Sequence, residues 1–226
     1  MLTVRQQKIL GSLITLYTKC AEPVGSHTVL EYADLDVSGA TTRNEMSRLE
    51  EEGYLTHPHT SSGRIPTVKG YRYFRDHLMP DTDPTDAELN VIRSAAAVER
   101  DTVSRAIAKA VAIRAREAVF VAIEARDVYY TGLSFLFAKP EFGEQALVVD
   151  ISELLDHLDD AIADISDSVS RELSIWIGDE HQFGSRCSLI IERSEVDGCI
   201  YGILGLERMD YVTNARLVRS ACEYYG

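Results

Sequence analysis

Arg43, Asn44 and Arg48 lie within the stretch "ATTRNEMSRLEEEGYL" and are the side chains in this chain best suited to recognising another molecule. Arginine and asparagine carry paired hydrogen-bonding groups that match the major-groove edges of guanine and adenine, so on the outer face of a helix they could read bases. Thr41 and Thr42 precede them, where the first turn of a helix would meet a phosphate or a thymine methyl. Weaker candidates for backbone contact surround this group: Ser26 and His27 at an expected helix start, Arg64 beside Gly63 at an expected hairpin tip, and Ser62 and Lys69 near it. The plain alternative is a solvated helix surface on which Arg48 pairs with Glu45 or Glu52, with Arg64 an ordinary loop cation and His27 a simple surface residue.

Other chemistries find little to work with. There is no Gly-rich phosphate loop, and "GILG" at Gly202 to Gly205 reads as part of a strand. His57 and His59 flank Pro58 with no cysteine nearby, so no metal site is expected there. Cys20, Cys187, Cys199 and Cys222 are scattered without a CxxC pair and read as reduced structural thiols. Asp156, Asp159 and Asp160 read as a solvated helical face. No nucleophile, base and orienting group can be assembled, so neither an enzyme nor a cofactor is expected.

The elements that must position the candidate residues follow from periodicity and capping. Thr3 with Gln6 has capping-box spacing, and Ile9, Leu10, Leu13, Ile14 and Tyr17 recur behind it, which predicts a helix over about 4–19. Pro23 stands near the start of a short second helix carrying Val29, Leu30 and Ala33. Ser38 caps a third helix that ends at about Glu52 before Gly53. At about 100° per residue, Thr42, Met46 and Leu49 share one side of it, while Ala40, Thr41, Asn44, Arg48 and Glu51 face roughly the other way. Two short extended stretches follow around Ser62-Gly63, kept from any central strand by Pro58 and Pro66. Thr67 caps a further helix that packs Tyr71, Phe74 and Leu78. Three helices and a hairpin make a winged helix-turn-helix.

Charge divides the chain. The total is 36 acidic against 23 basic side chains, net −13, yet residues 1–79 hold nine of each sign, so the whole excess lies beyond them. "MPDTDPTD", with two prolines and three aspartates, coincides with that change and marks a boundary. The expected organisation is a winged helix-turn-helix DNA-binding domain over 1–79, a linker over 80–86 and a regulatory domain over 87–226. In the last, Thr85 and Glu88 open a long helix reaching about Arg116. "EAVFVAIEA" and "DVYYTG" read as strands, followed by a loop through Lys139-Pro140 and an acidic helix over about 156–170. "LSIWIGDE", "RCSLIIER" and "CIYGILGLE" read as strands before a closing helix, an α+β arrangement. No apolar run approaches the ~18 residues of a membrane span, so a soluble, cytoplasmic chain without a membrane partner is expected.

"RQQKIL", "EPVGS", "ATTRNEMSRLEEEGYL" and "PHTSSGRIPTVKGYRYFRDHLM", within residues 2–79, closely resemble the amino-terminal signature of the bacterial heat-inducible transcription repressor family HrcA. "DVYYTGLSFLFAKPEF", "IGDE", "CSLI" and "YGILGLERMDY" resemble the later part of its GAF-like domain. The resemblance implies a dimeric repressor that binds an inverted-repeat operator before chaperone genes, with the chaperonin as a further partner. It places Thr41, Thr42, Arg43 and Asn44 on the family's recognition-helix motif and Gly63 and Arg64 on its wing motif. Gly39 stands where the family usually has proline, Thr42 where it has isoleucine, and His27 where it often has arginine. The chain is shorter than typical members, the missing part lying between "AVFVAIEA" and "DVYYTG", so the GAF-like domain is a shortened one. Two other readings stay open: a small-molecule-sensing winged-helix regulator, whose pocket Tyr129, Tyr130 and Phe135 would line, and a non-DNA module that holds a chaperone through the acidic domain.

Overall fold

Thr3 opens the chain's first helix through a reciprocal cap: its hydroxyl accepts the Gln6 N–H at 3.3 Å, and Gln6 Oε1 accepts the Thr3 N–H at 2.9 Å. The computed structural model describes residues 2–58, 63–81, 83–98, 103–124 and 127–224. They fall into two compact units, Met1–Pro80 and Asp81–Gly226.

In the first unit, α1 (Val4–Cys20), α2 (Ser26–Tyr32) and α3 (Gly39–Glu51) are followed by the antiparallel pair β1 (Leu55–Thr56) and β2 (Ile65–Pro66), then by α4 (Val68–His77). Ile9, Leu10, Leu13 and Ile14 of α1 meet Val29 of α2, Met46 and Leu49 of α3, and Tyr71 and Phe74 of α4 in one buried core. Each fully buried Leu or Ile contributes roughly 1.5–3 kcal/mol over exposure, which is what holds helices this short in place. One expected boundary moves. Pro23 does not start α2; Val24 instead makes a β-bridge to Arg64, with both backbone hydrogen bonds at 2.9 Å, and Gly25 caps the helix at Ser26. Val24 is buried in the extended conformation, so the wing gains a third, one-residue strand that no local pattern announces.

The corner between wing and α4 is tight. Thr67 donates its hydroxyl to the Gly53 carbonyl at 2.7 Å and accepts the Gly70 N–H at 3.1 Å. A Cβ at Gly70 would lie 2.3 Å from the Tyr54 carbonyl oxygen. Glycine is required here by proximity rather than by its backbone angles.

In the second unit, the expected long helix is two: α5 (Asp86–Val98) and α6 (Val103–Ala115), packed on each other and on α10 (Tyr211–Cys222). A single straight helix would leave the Ile92–Ala96 face of α5 without apolar cover, and two packed helices bury both residues along with Ile107 and Val111. Five antiparallel strands form the sheet: β3 (Ala118–Glu124), β4 (Asp127–Thr131), β5 (Ser174–Ile177), β6 (Cys187–Arg193) and β7 (Ile200–Leu206), in the order β4-β3-β7-β6-β5. Phe120, Leu189, Ile191 and Leu204 face a core closed by α7 (Leu133–Phe137), α8 (Gln145–Asp156) and α9 (Leu158–Ser166). On the other face, α6 lies on β3, and α10 lies on β6 and β7. The expected loop through Lys139 thus carries helices on both sides, and the expected 156–170 helix is α9, shorter and separated from α8 at His157. The β-branched Val148, Val149 and Ile151 weaken the helical signal of α8, which is stabilised by burying Leu147 and Ile151 on the sheet.

"GILG" serves packing. A Cβ at Gly202 would meet the Phe120 ring, and one at Gly205 would lie 2.5 Å from the Glu117 carboxylate. That carboxylate is buried against Lys139 Nζ, and its second oxygen has no hydrogen-bond partner among the described residues. Burial pushes the Glu117 carboxyl up to about 7 against the pull of Lys139, and burial does the same to Glu192, again to about 7. Cys187, Cys199 and Cys222 are buried free thiols, with burial pushing the first two up to about 12 and about 11. Among the described residues, no helix is long and apolar enough to cross a membrane.

Gly70→Ala is expected to destabilise the first unit by about 1–3 kcal/mol, the usual range for over-packing, as read by thermal melts of the full chain. A Tm within one degree of wild type would contradict the tight corner. Because the folded chain holds the Glu117 and Glu192 protons to higher pH than the unfolded chain does, stability falls as pH rises from 4.5 through about 7. Glu117→Gln is expected to flatten that slope in denaturant titrations at several pH values, and an unaltered slope would rule out a raised Glu117.

Candidate nucleic-acid interface

Ser38 starts α3 by accepting the Thr41 N–H at 3.1 Å, which leaves the first turn exposed but ordered. With Met46 and Leu49 buried, the opposite face carries Ala40, Arg43, Asn44, Arg48 and Glu51, all exposed. Arg43 and Asn44 make no side-chain hydrogen bond or ion pair among the described residues. Arg48 Nη1 is 3.7 Å from Glu45 Oε1, which Arg5 also approaches at 3.7 Å. This loose pair, with Arg48 largely in solvent, is worth well under about 1 kcal/mol and leaves the guanidinium available. The outer face of α3 therefore presents two cations and one amide over two helical turns.

The remaining sequence candidates divide. Thr41 is half-buried, and its hydroxyl lies 3.0 Å from that of Ser38, within the helix cap. Thr42 is 0% exposed, with its hydroxyl donating to the Ser38 carbonyl at 3.3 Å. Thr42 is thus corrected from contact residue to core residue, as its place on the Met46 side of the helical wheel and at a family isoleucine position could have signalled. Ser26 is half-buried in the first turn of α2, and His27 is exposed beside Glu31 at 3.3 Å. Ser62 and His59 lie outside the described residues.

Arg64 of the wing and Lys69 of α4 are both differently occupied than expected. Arg64 does not extend from a tip: its side chain is 22% exposed, and Nε donates to Glu50 Oε2 at 2.6 Å. His57 Nδ1 meets the other Glu50 oxygen. Burial would raise the Glu50 carboxyl, but the hydrogen bonds from His57 and Arg64 outweigh it and hold the group below the ordinary carboxylate range. Gly63 packs on Pro23, where a Cβ would lie 2.6 Å from backbone atoms. Lys69 donates to the Glu52 carbonyl at 2.7 Å and lies 4.4 Å from the Tyr54 ring centroid, so it caps the C-terminal end of α3 rather than waiting for a phosphate.

The sensor alternative gains no support from its aromatics. Tyr129 lies beneath Arg105 and Phe135 beneath Arg116, Tyr130 is exposed, and none of them lines either of two concavities of ≈ 520 and ≈ 580 Å³.

Comparison with known proteins adds lineage to this geometry. Residues 1–79 match the family described as "Winged helix-turn-helix transcription repressor, HrcA DNA-binding", and residues 72–213 match "HrcA protein C terminal domain". The heat-inducible transcription repressor HrcA of Acetivibrio thermocellus is 54% identical over 91 residues, covering 40% of this chain and 26% of that protein. Its namesakes from Lachnoclostridium phytofermentans and Chloroflexus aurantiacus are 42% and 45% identical over 117 residues, 52% of this chain and 34% and 32% of theirs. The matched stretch thus spans no more than about a third of these curated relatives. A crystal structure at 2.2 Å, described only as a hypothetical protein, superposes with a TM-score of 0.82 at 18% identity over 98% of this chain and 97% of that one, a likeness of fold.

Lys69→Ala is expected to lower stability by about 1 kcal/mol, the net worth of a solvent-exposed hydrogen bond, while leaving the salt dependence of any duplex binding unchanged. A salt slope smaller by about one unit would show instead that Lys69 contacts phosphate.

Proposed function

The chain belongs to the HrcA family, and on that premise we propose that it represses transcription by sequence-specific binding of duplex DNA at an inverted-repeat operator before heat-shock and chaperone genes. The observation that carries the reading is the outer face of α3, where Arg43 and Asn44 stand exposed without side-chain partners among the described residues, on a helix whose rotation the core fixes. In this reading Arg43, Asn44 and Arg48 contact base edges. Thr41, Ser26 and His27 lie where phosphate contacts would fix register. Arg64 contributes only as far as its bond to Glu50 allows.

Residues 1–79 act as the duplex-binding domain, 80–86 as the linker, and 87–226 as a regulatory and dimerisation domain. A single short reading helix gives little specificity, and a two-fold protein matches a two-fold repeat, so the working form is a homodimer. The acidic second unit keeps nonspecific contact with the polyanion low. The reading extends to the chaperonin as a further partner, as the family resemblance implies, and to the cytoplasm as the place where a repressor of chromosomal genes works.

Fluorescence anisotropy against an inverted-repeat chaperone-promoter duplex and its scrambled counterpart tests this. Wild type is expected to prefer the repeat at least tenfold, ~1.4 kcal/mol, and Asn44→Ala to lose about 1–3 kcal/mol of that preference. Equal affinity of wild type for both duplexes would overturn the reading, and a light-scattering mass of one chain in the presence of the repeat would remove the dimer.

A further inference from the structure

Glu50 sits in the last turn of α3, and its two carboxylate oxygens are divided between the two limbs of the wing. Oε1 meets His57 on the outgoing limb, just after β1, and Oε2 accepts Arg64 Nε at 2.6 Å on the returning limb, just before β2. Arg64 is anchored a second time through its backbone, which exchanges both hydrogen bonds with Val24 at 2.9 Å. Glu50 and Arg64 have side chains 22% exposed, so the pair is partly desolvated and stronger than a rim contact. One side chain of the reading helix thus grips both limbs of the wing, and it does so by occupying a cation that would otherwise be free for phosphate.

We propose that Glu50 is a specificity-setting positioning residue: it fixes the angle of the wing to α3 and withholds Arg64 from indiscriminate phosphate contact. The inference rests on the duplex-binding reading above. Two consequences follow from electrostatics and geometry. A released guanidinium adds about one phosphate contact, which strengthens binding to any sequence and steepens its salt dependence by about 0.9. A wing no longer held at one angle stops fixing register on the duplex, so discrimination between sequences declines.

The test compares wild type, Glu50→Ala and Asp36→Ala in the full chain, at a temperature where all three are folded by circular dichroism. Asp36 is exposed ahead of α3 and has no side-chain partner among the described residues, so its removal changes the charge equally without releasing the wing. Glu50→Ala is expected to bind the scrambled duplex at least about threefold more tightly at low salt, with a steeper salt slope, and to lose most of its preference for the inverted repeat. Asp36→Ala is expected to shift both duplexes alike. Equal behaviour of the two variants would reduce the effect to net charge and overturn the proposal, as would a parallel loss of affinity for both duplexes in Glu50→Ala.

A second readout stands apart from DNA. Amide exchange at Val24 and Arg64 in the free protein is expected to quicken in Glu50→Ala and not in Asp36→Ala, and unchanged exchange would show that Glu50 holds nothing. Should wild type fail to discriminate between the duplexes, the repressor reading falls, while quickened exchange would still establish the grip on the wing.

Discussion

Burial of Met46 and Leu49 against α1 and α2 is the constraint on which the first unit turns. A helix has one rotational freedom about its axis, and each residue of rotation moves a side chain by about 100°. Once Thr42, Met46 and Leu49 are inward, Arg43, Asn44 and Arg48 have nowhere to go but outward. The Ser38 cap sets where the helix begins, and the core sets which way it faces. Neither operation involves the exposed residues themselves, so their identities are free to serve recognition.

The C-terminal end of α3 is the second determinant. Glu50, Glu51 and Glu52 gather negative charge where the helix dipole is already negative, an unfavourable arrangement by itself. The structure answers it with groups from later in the chain: the His57 ring and the Arg64 guanidinium on the Glu50 carboxylate, and the Lys69 ammonium on the Glu52 carbonyl. Arg64 and Lys69 are therefore first of all the countercharges of the helix end. What they offer to a polyanion is set by competition with carboxylates of the same chain.

The second unit solves a different problem with the same physics. The central strands β3, β7 and β6 of the five-stranded antiparallel sheet are buried, so α7, α8 and α9 cover one side and α6 and α10 the other, with α5 packed on those two. Residues with small or absent side chains mark where other groups press in: Gly202 under Phe120, Gly205 beside the buried Glu117. Glu117 lies against Lys139, and nearby Arg208 bonds Glu141, which joins segments far apart in sequence at one end of the sheet.

Much of this could be read from the amino acids alone. The caps Thr3, Ser38 and Thr67, the helical spacing of Ile9 to Ile14, the strand runs of β3, β6 and β7, and the outward face of α3 are local signals, and each is set by residues within a few positions of one another. The Val24–Arg64 bridge, the folding of one expected helix into α5 and α6, and the helix α8 are not. Neither are the bonds of Arg64 to Glu50 and of Lys69 to Glu52, fourteen and seventeen residues apart. Periodicity and capping act along the chain, so the sequence by itself determined the capped helices of the first unit, the main strands of the second and the chemistry their faces carry. Which cations remain free to use that chemistry was decided only by tertiary structure, because the partner of a charge is whatever the fold brings within hydrogen-bonding distance.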